Sequence, residues 1–236
     1  MSAASLQRVG LAHLRWVPLT AFAALLATEL SLFIYDMFVP GHTVILEEES
    51  GFIPWLNGGV LAGGALGAAA VWLALTRPGQ RPGRYPASRF LWPLAALALA
   101  WFATDDIMAL HERVGRDAMT GLVRTFVSGE VTLPNAVWIG TFGPVFATTA
   151  LVLLGILRFG LAEAPTLARW VFAALAMWGT ALFLEVVVST TLDGFPNAYA
   201  AGLVFEETLE ILGATILLGV FAYHASVLWR RRRGGG

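Results

Sequence analysis

Residues 90–112 read FLWPLAALALAWFATDDIMALHE. The run is long enough to cross a hydrocarbon core of ~30 Å as a helix, at ~1.5 Å per residue. Its last third nevertheless holds Asp105, Asp106, His111 and Glu112. Ionised groups inside a membrane are expensive. The same stretch therefore decides the fold class and poses the functional question.

Composition extends the first half of that reading to the whole chain. Of 236 residues, 57% are hydrophobic and 13% charged, with a mean hydropathy of +0.70. A soluble domain cannot hide so much apolar surface, so the bilayer is the expected solvent. Six apolar runs of spanning length follow one another, at about 16–39, 56–76, 90–112, 136–158, 169–191 and 203–229. The short alternating segments of a β-barrel are absent. The expected fold is all-α: a polytopic membrane protein in which six transmembrane helices form one domain over residues 1–236. The basic start, MSAASLQRVGLAHLRW, imitates a signal peptide, but the apolar run after it is interrupted by Glu29 and is long enough to span, which favours a retained first helix. A net charge of −1 argues against nucleic acid as a partner. The absence of cysteine excludes disulfides, thiolate metal sites and cysteine nucleophiles.

Arginine, the sole basic residue type besides histidine, sets the orientation. With the N-terminus inside, the inner segments hold Arg8, Arg15, Arg77, Arg81, Arg84, Arg89, Arg158, Arg169 and Arg230 to Arg233. The outer ones hold Arg113, Arg116 and Arg124. This asymmetry predicts an N-in, C-in protein. Gly59, Gly63 and Gly67, four residues apart on the second run, predict close helix contact. In the outer loop 113–134, Val114, Ala118, Leu122 and Phe126 recur at i, i+4 and suggest an amphipathic helix on the membrane surface. An interfacial anchor explains that helix more simply than a lid.

The intramembrane acids converge in depth. Counted from the inner end of each helix, Asp105 and Glu185 lie roughly 22–24 Å up, Glu29 roughly 20 Å and Glu210 roughly 28 Å. Asp36, His111, Glu112 and Glu206 come out at about 30–35 Å, near the outer interface. On helix three, Asp105 and Glu112 share a face, with His111 or Asp106 at its margin; on helix six, Glu206, Glu207 and Glu210 span an arc of about 100°. Carboxylates gathered in low dielectric must bind a cation, share protons or pair with arginine, and no arginine falls inside a span. The expected metal set is Glu29, Asp105, Asp106, His111, Glu185, Glu206, Glu207 and Glu210, with His111 and Glu112 as catalytic candidates. An oxygen-rich set suits a divalent metal ion, Fe, Mn, Ca or Mg; zinc, which prefers several histidines or cysteines, fits less well. A dinuclear carboxylate bundle is a partial match, since Glu207-x-x-Glu210 stands where such bundles place Glu-x-x-His. His13, His42 and His224, by contrast, fall away from the acids.

DDIMALHE and the downstream FEETLEILGA resemble an uncharacterised bacterial multipass membrane protein group that carries an acidic-x4-5-His-Glu stretch on one helix and Glu-Glu-x-x-Glu on the last. Asp106, His111, Glu112, Glu206, Glu207 and Glu210 are the matching positions. The resemblance implies shared structure around them and no activity; the expected location is the bacterial inner (cytoplasmic) membrane, with the acids toward its outer side. The HxxxH of ceramidase-like hydrolases and the EExxxR of CAAX-type proteases are both missing.

These residues point first to a metal-dependent enzyme acting on a lipid-like substrate that enters from the membrane. A proton- or cation-coupled transporter is the alternative, although the uncharged inner halves of the acidic helices offer poor stepping stones. A structural or assembly subunit holding a stabilising ion is the third. Membrane lipids are the expected partners; the oligomeric state is open.

Overall fold

A computed structural model describes residues 52–77, 86–108, 136–191 and 196–233. Every element among them is helical. Helix α1 is Phe52–Thr76; a 3-10 turn, Pro86–Phe90, leads into α2, Leu91–Met108. Helix α3 is Ala136–Gly155 and runs on as a π-helical turn, Ile156–Gly160, closed by the Leu161 N–H donating to the Ile156 carbonyl at 2.8 Å. Helices α4, Pro165–Thr191, and α5, Pro196–Arg233, complete the set. Among the described residues, five helices are thus long and apolar enough to cross a membrane. The expected span 16–39 and the loop 113–134 lie outside the described residues. So do Glu29, His111 and Glu112.

Three helices begin earlier than hydropathy predicts. Helices α4 and α5 open on Pro165 and Pro196 rather than near 169 and 203. Proline at the first helical position has φ already set and lacks an N–H that would find no partner there. Helix α1 likewise gains a turn ahead of residue 56. Apolar run length marks where lipid begins, not where a helix starts.

Large apolar side chains line the outside of the bundle as well as its inside, where Trp92, Leu99 and Phe221 are fully buried. Leu66, Leu97, Leu151, Phe172 and Phe183 are exposed, whereas Ala65, Ala68, Ala95, Ala174 and Ala214 are buried where helices meet. Lipid solvates large apolar groups without penalty, so close approach through small residues decides the contacts. Helix α1 lies against α2 and α5, α5 also packs on α4, and α3 touches α2 and α4 more lightly. A Cβ on Gly67 would stand 3.0 Å from that of Phe221, and one on Gly63 would stand 3.2 Å from Leu218. Gly59 departs from the expected stripe, with nothing within 4 Å of its Cβ position. Each four-residue step drifts about 40°, which turns Gly59 off the α5 seam. Gly58 instead faces α2, where its Cβ would meet Ile107 and the Ala103 carbonyl at 3.0 Å. The hydroxyls of Thr104, Thr148 and Thr180 donate to carbonyls four residues back in their own helices, leaving no polar group of theirs open to lipid.

These contacts fix direction. Gly58 lies opposite Ala103 and Ile107, and Gly64 opposite Leu99, so α1 and α2 are antiparallel. Gly63 meets Leu218 and Gly67 meets Phe221, so α5 runs parallel to α1. Gly213 meets the Ala174 carbonyl while Trp178, one turn later on α4, reaches the Glu210 carbonyl, earlier on α5, which makes α4 antiparallel to α5; Phe146 on Phe102 and Gly155 against Leu91 set α3 antiparallel to α2. Alternation of this kind segregates charge. Arg77, Arg89, Arg158, Arg169 and Arg230 fall at one end; Asp105, Asp106, Glu185, Glu206, Glu207 and Glu210 fall toward the other.

Candidate functional site

The acidic end is polar on three helices, α2 and α5 and the α1 that packs against both. Asp105, near the end of α2, is only 2% exposed. Glu206 of α5 is 8% exposed, while Asp106, Glu207 and Glu210 are half-buried. Each of these five acids interacts with its surroundings. Sequence depth ranks Glu206 as shallower than Glu210. The structure buries it more deeply, because Glu206 lies seven residues, two full turns, before Gly213, on the strip of α5 that α4 covers. Glu207 shares its strip with Ile211 and Leu218, the side that meets α1.

Asn57 is the residue that the sequence did not single out. It is 4% exposed and its Oδ1 has no hydrogen-bond partner. Asn57 shares a helical strip with Leu61, Gly64 and Ala68, which is the buried strip of α1 between α2 and α5. With Gly58 opposite residues 103 and 107, and Gly63 opposite 218, Asn57 stands at the level of Asp105 and Asp106 on α2 and of Glu210 and Ile211 on α5. A buried amide oxygen without a partner costs about 1–3 kcal/mol. A lone asparagine at the mouth of an apolar run reads as a helix-start residue, which is why its sequence carried no signal.

A floor of aromatic rings underlies these groups. Phe102, one turn below Asp105, packs on Phe146 with centroids 4.7 Å apart and on Trp178 at 6.3 Å. The Trp178 indole N–H donates to the Glu210 carbonyl at 3.0 Å. Below the rings the buried residues are Leu61, Leu99, Leu217, Ala68 and Ala95, without charge.

The eight expected ligands divide accordingly. Asp105, Asp106, Glu206, Glu207 and Glu210 occupy one end of α2 and α5, the two helices that flank α1. Glu185 lies on α4 two turns beyond Trp178, toward that same end. Glu29 and His111 are outside the described residues, as is Glu112. Among the described residues, no three His, Cys, Asp or Glu side chains are grouped so as to hold a metal ion. Chemically, the layer offers carboxylate oxygens and one neutral amide oxygen, a donor set for a hard cation or for shared protons.

No curated protein matches the chain. No solved structure matches it either. One family profile, however, matches residues 12–227, nearly the whole length, and takes in all or most of each helix described above. The chain belongs to that family, described as a domain of unknown function, DUF8692.

Proposed function

We propose that the polar layer is an intramembrane divalent-cation site and that the protein is a metal-dependent enzyme for a lipid-like substrate. The carrying observation is the burial of Asp105 and Glu206, together with Asn57, at one end of a bundle whose described arginines all fall at the other. Buried carboxylates need a compensating charge or a proton. Their ligand set is completed by Glu185 and by residues beyond the described helices, Glu29 and His111, with His111 and Glu112 as acid–base candidates. Span 16–39 supplies a sixth helix, and the arginine distribution orients the protein N-in and C-in in a bacterial inner membrane, with the acids toward the outer side.

The aromatic floor and the uncharged core beneath it favour a site reached from one side over a path through the bilayer. A substrate that enters laterally from the membrane meets exposed Phe205 and Met108 at this end. Proton sharing is the second reading, favoured by the lack of a three-ligand group among the described residues. Elemental analysis of the purified protein separates the two.

Asn57→Leu makes an independent check. Removing a buried oxygen that lacks a partner is expected to stabilise the metal-free protein by about 1 kcal/mol. Loss of a neutral ligand or positioning group is expected to weaken metal retention by about tenfold or more. A less stable variant with unchanged metal content would count against a role for Asn57 in the site.

A further inference from the structure

The arginine end carries a second built feature. The Arg77 guanidinium lies over the Trp229 ring, 3.5 Å from its centroid. The ring is itself held by its indole N–H, which donates to the Ala70 carbonyl at 3.4 Å. Next along α5, Arg230 donates from Nε to the Ser226 carbonyl at 3.3 Å and from a terminal nitrogen to the Ser226 hydroxyl at 2.9 Å. Both arginines are exposed. Glu163, on the turn before α4, is the only acid at this end among the described residues.

A guanidinium held over a ring face is anchored without spending its N–H donors, which stay available to a ligand. Their fork matches two oxygens of a phosphate. An orientation signal needs positive charge alone. It does not need one arm stacked on tryptophan and its neighbour tied to serine. Ordering both arms in advance lowers the entropy cost of holding a ligand. The surface just below is apolar and open: Trp72 and Leu73, about one turn before Arg77, are exposed. A phosphate placed between the arginines would therefore have a lipid-facing surface running away from it in the direction of an acyl chain.

We propose that Arg77 and Arg230, flanking Trp229 on the α1–α5 seam, form a binding site for the headgroup phosphate of an anionic phospholipid. The chain path along Trp72 and Leu73 selects a lipid over free phosphate. The site stands apart from the acidic layer and does not depend on the metal reading.

The test is native mass spectrometry on full-length protein, delipidated in detergent and titrated with phosphatidylglycerol, phosphatidylcholine or inorganic phosphate. Wild type is expected to retain phosphatidylglycerol in preference to phosphatidylcholine, and millimolar inorganic phosphate is expected not to displace it. Arg77→Gln with Arg230→Gln should reduce phosphatidylglycerol retention by more than about tenfold, since each removes charge-assisted hydrogen bonds to the phosphate that contribute about tenfold or more. Arg169→Gln, which removes an exposed arginine of the same end from α4, should leave retention unchanged. The double lysine variant keeps the charge but loses the fork, and should retain an intermediate amount even if the glutamine variant fails to fold. Equal retention in wild type and both double variants would overturn the site, as would displacement by phosphate or an equal loss in Arg169→Gln.

Discussion

Asp105→Asn is expected to lower the metal content of the purified protein by more than about tenfold while leaving it inserted and monodisperse. Asparagine preserves the shape of a side chain that is 2% exposed, so the packing of α2 is undisturbed. What changes is the charge. In the metal-free protein a buried carboxylate is a burden, and its neutral isostere should leave the unfolding midpoint unchanged or raise it. Added metal should stabilise wild type, because a ligand that binds only the folded state raises stability by mass action. It should not stabilise the variant. Inductively coupled plasma mass spectrometry and thermal unfolding, with and without chelator, read both effects. A variant that loses stability in chelator yet keeps its metal would assign Asp105 to structure instead.

Gly213→Ala is the second large effect. Its Cβ would lie 2.5 Å from Trp178 Cδ1 and 3.1 Å from the Ala174 carbonyl. The indole cannot yield freely, because its N–H is donated to the Glu210 carbonyl one turn away. Overpacking of this kind costs about 1–3 kcal/mol. It also parts α4 from α5 beside Glu206 and Glu210, so metal retention should fall with stability. Trp178→Ala removes both the ring contact and the hydrogen bond. In that background Gly213→Ala should cost clearly less, a coupling of about 1 kcal/mol or more in a double-mutant cycle of unfolding. Additive costs would mean that the glycine is not there for the indole.

The membrane bundle was legible because lipid imposes a single demand, length without charge, which α1 to α5 meet in sequence as plainly as in space. That Asp105, Glu206 and Glu210 fall toward the same end was legible too, since a rise of ~1.5 Å per residue converts position into depth. Angle was harder. Without knowing which helix neighbours which, Glu206 could not be ranked above Glu207, and Gly59 could not be told from Gly63. Asn57 was missed for a different reason. A neutral amide costs little in a hydropathy profile, and only its burial beside α2 and α5 gives it meaning. The pairing of Arg77 with Trp229 joins residues 152 positions apart, a distance over which sequence periodicity is silent.

The most direct measurement is the elemental content of wild-type protein, purified in detergent without added metal or chelator. The predicted result is at least about one divalent ion per chain, iron, manganese, calcium or magnesium, retained through gel filtration and lost in Asp105→Asn. A protein that is folded, monodisperse and free of metal would contradict the cation site and leave its buried carboxylates to protons.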